Sequence, residues 1–421
     1  MKKKLILGLV VMMLISSMPV LGMETTSESA VSEEENQEEA VKEEVLQLTI
    51  EDAVQLAIEN SWDIQTLDRN LRNIDDAIDA QEDLQDDIKD DIDKYTDSTS
   101  DYYMGSINGM MIAIMENLGP TADIVDYLLI KRGFGIEQIK SQEVVLEETK
   151  KQTLEAIEIG AKSAYYQVLI AEKTLELQEQ LLKKAEQHKK IAQVKYENGV
   201  ATKLVKLQAD SAYISAKSDY QNAEDELKIK YLELNNTLGL NFDQKVELIS
   251  DVGYTPTEEI DLAASIEAAF ENRSDIKKLK SELELQEVET AAYKSYYTPA
   301  LQQYKDAEEK LLEAEHAYEQ SFKDVELDVR RNYLELVKAE RALNNMTESV
   351  AIARESVRVS QLFYEYDLAT LTDVIDAETG LAQAEIARYQ LMISYNITKM
   401  MFENSYNVGL PSAGGASVGS F

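Results

Sequence analysis

The sequence has no cysteine, so it can build no disulfide framework, thiolate metal site or lipidated-cysteine anchor. Its two histidines, His188 and His316, lie far apart in charged stretches, and without thiolates they assemble no zinc or copper constellation. No glycine-rich phosphate loop and no nucleophile elbow occurs, so nothing points to an enzyme or to a cofactor. Proline is scarce, at positions 19, 120, 256, 299 and 411 only. Residues 121–255 and 300–410 are therefore free of the residue that breaks helices. Apolar runs are short: the longest, 5–15, follows Lys2, Lys3 and Lys4 and is too brief to span a bilayer comfortably. With Ser16, Ser17 and Gly22 behind it, this run predicts a secretory signal peptide over 1–22 and export, the alternative being an uncleaved anchor.

Acid is abundant. Asp and Glu number 79 against 42 Lys and Arg, a formal net charge of −37, and removing a leader with three lysines and no acid lowers it by three more. Such a surface repels nucleic acid and anionic headgroups and tolerates cations. A heavily solvated helical exterior accounts for most of it, and Asp86-Asp87 and Asp90-Asp91 read as such a face before they read as calcium ligands. Residues 23–46, with Glu33 to Glu35 and few large apolar groups, are expected to form an acidic disordered spacer, and 411–421 a flexible tail. Tyrosines such as Tyr165, Tyr166, Tyr220, Tyr231, Tyr333 and Tyr389 are expected at seam edges with their hydroxyls reaching solvent.

The proline-free stretches carry a pattern. Leu154, Ile157, Ala161, Ala164, Val168, Ala171 and Leu175 alternate steps of three and four, a coiled-coil seam. It returns 168 positions later as Phe322, Val325, Val329, Leu336, Ala339 and Leu343, broken by Asn332 and extended by Met346, Val350, Ala353 and Val357. Off the seam, Tyr165 answers Tyr333, Tyr196-Glu197 answers Tyr364-Glu365, and Ala201-Thr202 answers Ala369-Thr370. A turn shared at constant offset marks an internal repeat. Glu51 to Leu67 likewise matches Ala263 to Leu279, now 212 positions apart. The excess of 44 places an insertion in the first copy, within roughly 90–140.

The chain thus reads as all-α, with two repeated long antiparallel coiled-coil hairpins and little or no β-structure: a first repeat over 47–250 and a second over 258–410. Each copy has a short opening helix, a rising helix, a long descending helix (about 136–197 and about 300–365), a tight turn and a returning helix. Helices of roughly 60 residues cannot bury their seams on a compact core and must pack on one another.

With these motifs the chain resembles the TolC-like outer-membrane efflux proteins. The resemblance rests on Leu48 to Ala53 with Ala57 to Asn60, on Ala164-Tyr165-Tyr166, and on the turns Tyr196 to Thr202 and Tyr364 to Val374. It implies a TolC-like α-barrel protomer: a homotrimer whose six hairpins enclose a duct in the cell envelope, at the outer membrane or periplasm. The implied partners are a membrane-fusion (adaptor) protein and an inner-membrane transporter, with membrane association and no nucleic acid.

The implied adaptor-docking turns are Asn198, Gly199, Val200, Ala201 and Thr202, and Asp367, Leu368, Ala369, Thr370, Leu371 and Thr372. Gly199 suits a helix stop because glycine tolerates positive φ; Asp367 replaces it in the second copy, less favourably. Asp373 and Asp376, three apart on one helix face, match the family's pore constriction. Three copies would gather six carboxylates, favouring cations. The plainer alternative is an acidic first turn offsetting the helix dipole, with Thr370 or Thr372 as cap. Val205 and Gln208 hold the matching places in the first copy.

Family members also insert membrane strands between rising and descending helices. Here the second copy has Tyr296-Tyr297-Thr298-Pro299 and then a charged helical sequence, where no strand fits. In the first copy, Tyr102 to Ile107 and Met110 to Met115 around Asn108-Gly109 allow a short hairpin. A helical cap fits better, with Thr121 starting a helix after Pro120 and an apolar patch at Met110, Ile112, Ile114, Tyr127 and Leu128. A conduit therefore competes with a non-conducting coiled-coil spacer or adhesin stalk.

Overall fold

The computed structural model describes residues 45–250, 253–254, 260–366 and 368–410. The expected signal peptide, the spacer up to residue 44, Asp367 and the tail lie outside the described residues. In chain order the elements are β1 (Leu46–Leu48), α1 (Ile50–Glu59), α2 (Trp62–Arg72), α3 (Ile74–Thr96), α4 (Ser106–Leu118), α5 (Ile124–Lys131), α6 (Phe134–Glu197), α7 (Lys203–Thr237), β2 (Val246–Leu248), α8 (Leu262–Asn272), α9 (Ser274–Tyr296), α10 (Gln302–Glu365) and α11 (Leu371–Tyr406). The fold is all-α apart from the short parallel pair β1–β2, in which Leu46 lies opposite Val246. Leu46, the last residue assigned to the spacer, is thus the first of a strand. The described residues fall into two compact units, 79–135 and the remainder.

In the larger unit, α6 and α10 each run 64 residues, about 96 Å at 1.5 Å per residue. Their seams are the interior: Ala161, Val168 and Ala171 on α6, and Val325, Val329, Leu336, Leu343, Val350 and Val357 on α10, are buried. Asn332, the polar break in the second seam, donates from its amide to the Asp328 carbonyl and carboxylate. Descending helices pair with returning ones, as α10 does along α11.

Two cores anchor the hairpins' bases. The first joins Leu48, Ala53 and Ala57 to Tyr165, Val168, Leu234, Leu238 and Ile393. Tyr165 is fully buried, contrary to the expectation that its hydroxyl reaches solvent. That hydroxyl donates to the Leu48 carbonyl at 3.1 Å and accepts from the Ser250 amide at 3.0 Å. The side chain thereby gives the Ser250 amide, two residues past β2, a partner, and adds a second donor to the Leu48 carbonyl, which also accepts from the Ile249 amide at 3.1 Å. Tyr231 likewise donates to Glu172 at 2.7 Å, and burial with that carboxylate pushes its phenol far up. The second core packs Ile266 and Ala269 of α8 on Val325, Val329, Met392, Tyr395 and Phe402, with Phe270 edge-on to Phe322 at 5.3 Å. Arg273, 5% exposed, closes it by donating to Asp275, Asp328 and the Ser405 carbonyl.

In the unit 79–135, the hairpin weighed at Asn108-Gly109 does not form, because α4 runs through it. Gly109 is buried where α4 meets α3, and a Cβ there would stand 2.5 Å from the Tyr95 carbonyl oxygen. An Asn-Gly pair that elsewhere signals a turn here permits close helix packing. Thr121 does not start the next helix. Asp123 caps α5, accepting from the Val125 and Asp126 amides, while Asp126 accepts from the Asp123 amide in return. Gly133, at φ +74°, ends α5. Between α9 and α10, residues 297–301 form a turn, the Leu301 amide donating to the Thr298 carbonyl.

Candidate functional site

The first turn joins α6 to α7. Gly199 takes φ +71°. Its amide donates to the Tyr196 carbonyl at 3.0 Å, and the Val200 amide reaches back to the Lys195 carbonyl at 2.9 Å, a Schellman stop. The Ala201 amide shares that carbonyl at 3.1 Å. Asn198, Gly199 and Val200 face solvent, Val200 at 76% exposure. Thr202 caps α7 through one bond, its hydroxyl accepting from the Val205 amide at 3.4 Å.

The second turn repeats the closing bond 168 positions on: the Leu368 amide donates to the Phe363 carbonyl at 2.8 Å. Leu368, the counterpart of Val200, is 74% exposed. Ala369 and Thr372 are half-buried, and Leu371 is buried. Thr370 caps α11 with a full box: its hydroxyl accepts from the Asp373 amide, and the Asp373 carboxylate accepts from the Thr370 amide and hydroxyl, both at 2.7 Å. Those bonds from Thr370, side chain then backbone, hold the Asp373 carboxyl below its ordinary value. The plainer alternative, an acidic first turn with a threonine cap, is thus present with Thr370 as the cap, and the Asp373 side chain stays exposed. Asp376, one turn on, shares the exposed face, opposite the buried Leu371 and Val374. In the first copy Val205 stands in the box position of Asp373, so no reciprocal bond forms.

The two turns are tied together. Ala192, Ala209 and Leu371 form a buried cluster with Val205, Tyr364 and Ile375 around it. Lys195 bonds the Tyr364 hydroxyl at 3.3 Å and lies 4.9 Å from the ring centre. Further along, Glu378 of α11, 5% exposed, receives His188 at 3.2 Å, Gln361 at 2.9 Å and Lys184 at 3.5 Å. Burial is the strongest influence on this carboxyl and would raise it, but the His188 bond and the Lys184 charge together leave it below its ordinary value. His188 is therefore no surface histidine. Nothing in the sequence marked this contact, because it is not repeated: Ser356 and Asp210 occupy the equivalent positions. Among the described residues, no group of three His, Asp or Glu could hold a metal, and no helix is long and apolar enough to cross a membrane.

Paired long hairpins, two turns that share one closing bond and a strand pair at the base define a protein of TolC-like architecture. The comparisons agree. Residues 140–240 match the family model described as outer membrane efflux protein. Among solved structures, the outer membrane protein VceC of Vibrio cholerae has this fold with a TM-score of 0.60 at 12% identity, over 86% of this chain and 97% of that one. The Campylobacter jejuni CmeC outer membrane channel gives 0.60 at 12%, over 94% and 96%. A membrane protein from Pseudomonas aeruginosa gives 0.62 at 14%, over 95% and 100%. At these identities the likeness is one of fold. No curated protein matches the chain in sequence.

Proposed function

We propose that the chain is the duct component of a tripartite efflux or export system in the cell envelope. It has no catalytic role: three copies close into an α-helical conduit that docks an adaptor protein, which links it to an inner-membrane transporter.

The carrying observation is an unfilled copy of an internal contact. Within one chain, α6 and α11 run antiparallel, with His188 against Glu378 and Glu155 against Asn404. Moving each residue by the 168-position repeat turns these pairs into Ser356 with Asp210 and Lys323 with Asn236, on α10 and α7. Between those levels stand Ile352 and Ile214, then Leu334 and Ile229, then Leu327 and Leu232, in matching order. All six are 44% to 72% exposed. Each would gain about 1.5–3 kcal/mol on full burial. A contact between α10 of one copy and α7 of the next repeats the internal geometry head to tail, and such contacts close into rings. Six hairpins, as in the family resembled, make three copies.

Within that ring the turns 198–202 and 367–372 are the docking surface for the adaptor, each presenting an exposed apolar tip, Val200 or Leu368. Asp373 and Asp376 are the constriction, and the capping box keeps the first charged. A spacer or stalk would have the same long coils, but it has no need of two matched turns.

The absence of cysteine makes the interface directly testable. In an Ile352→Cys, Ile214→Cys double variant, oxidation is expected to give covalently closed trimers, whereas either single variant gives none. Failure of the double variant to cross-link chains would overturn the ring. In reconstituted assemblies, Asp373→Ala with Asp376→Ala is expected to reduce cation preference; an unchanged preference removes the constriction role alone.

A further inference from the structure

Asparagine precedes glycine twice in the sequence, at Asn108-Gly109 and at Asn198-Gly199, and the fold treats the two pairs differently. Both asparagines are exposed. Gly109 is buried within α4: its amide donates to the Gly105 carbonyl at 2.7 Å, and the Tyr95 carbonyl oxygen stands 2.5 Å from where a Cβ would be. That peptide cannot turn without lifting α4 off α3. Gly199 lies just past the end of α6 at φ +71°, with no atom within 4 Å of the Cβ position. Its amide is held by one bond, to the Tyr196 carbonyl at 3.0 Å. Bonds at an exposed helix end open at far lower cost than those of a packed interior.

We propose that Asn198 is a site of spontaneous deamidation, and that the fold confines this chemistry to the first turn while protecting Asn108. Glycine has no Cβ, so it leaves the backbone nitrogen that follows asparagine open to the side chain. When the bond to Tyr196 opens, the Gly199 amide nitrogen loses its proton to hydroxide and attacks Asn198 Cγ. A bond forms between that nitrogen and Cγ, the Cγ–Nδ2 bond breaks, and the side-chain nitrogen leaves as ammonia. Water then opens the cyclic imide at one of its two carbonyls. Opening at Cγ restores the ordinary main chain with an aspartyl side chain; opening at the main-chain carbonyl routes the chain through Cβ and Cγ, an isoaspartyl link. One water enters, one ammonia departs, and either product carries a new carboxylate.

That carboxylate stands at the C-terminal end of α6, where it opposes the helix dipole, and close in sequence to Val200, 76% exposed. The isoaspartyl link also lengthens the main chain by one atom, so the bonds from the Gly199 and Val200 amides to Tyr196 and Lys195 cannot both persist. On the docking reading proposed above, the adaptor contact weakens as the molecule ages. The modification itself does not depend on that reading.

The test is incubation of the full folded chain in mildly alkaline buffer, followed by peptide mass mapping over time. Asn198 is expected to convert to acid about tenfold faster than Asn108, and faster still as pH rises. Enzymatic methylation is expected to detect the isoaspartyl form at 198. In urea the two asparagines are expected to react at similar rates, because sequence alone then decides. Asn198→Gln, whose longer side chain closes a ring more slowly, is expected to stay unconverted at unchanged helix content. Equal rates in the folded chain, a faster Asn108, acid without isoaspartyl product, a selectivity that survives in urea, or equal conversion of Asn198→Gln would each overturn the proposal. Since no adaptor takes part, none of these results bears on the conduit.

Discussion

His188 Nε2 lies 3.2 Å from the Glu378 carboxylate, joining the descending helix of one hairpin to the returning helix of the other through a partly buried polar contact. Lys184 and Gln361 complete the shell. Glu378→Ala is expected to destabilise the chain by about 1–3 kcal/mol, because donors oriented on a buried acceptor lose it. Thermal unfolding followed by circular dichroism measures this, and Glu378→Gln, which keeps an acceptor, is expected to lose less.

The same carboxylate sets a pH dependence. Its folded value is depressed below the ordinary 4.5, so its contribution is fully present above the unfolded value and is lost as pH falls through the folded one. The expected outcome is a decline in stability below about pH 4.5 that is shallower in Glu378→Gln, read by urea unfolding across that range.

Gly199 meets no atom within 4 Å of where a Cβ would stand, yet its φ is +71°. Gly199→Ala is therefore expected to cost about 1–2 kcal/mol from conformation alone. Gly199→Asn, whose side chain tolerates that region, is expected to recover part of the loss in the same thermal assay. A clash would instead penalise asparagine more.

The two capping threonines differ in their bonds. Thr370→Ala, which breaks a reciprocal box, is expected to cost about 1 kcal/mol, and Thr202→Ala, with one long bond, less. Amide exchange at Asp373 and Val205 reads each helix start separately.

Tyr165 and Tyr333 are repeat partners in different surroundings. Tyr165→Phe strands the Ser250 amide and is expected to cost about 1–3 kcal/mol. Tyr333, half-buried, is expected to tolerate phenylalanine within about 0.5 kcal/mol.

The long helices were legible because seam spacing and missing proline are local properties: expected at about 136–197 and 300–365, they run 134–197 and 302–365. Gly199's positive φ and the Thr370 cap were legible for the same reason. Contacts between elements far apart in sequence were not. Asn108-Gly109 has the composition of a turn, and only its packing on Tyr95 makes it helical. The buried hydroxyl of Tyr165 depends on backbone groups of Ser250 and Leu48, 85 and 117 residues away. Glu378 and His188 meet across 190 residues with no repeated counterpart to announce them.

The most direct measurement is the mass of the assembled chain in solution by light scattering, native and with Ile352→Asp and Leu334→Asp. A closed ring of hairpins requires a native mass of three chains, falling toward one when both exposed α10 positions become charged. A native mass of one chain, or a trimer indifferent to both substitutions, contradicts it.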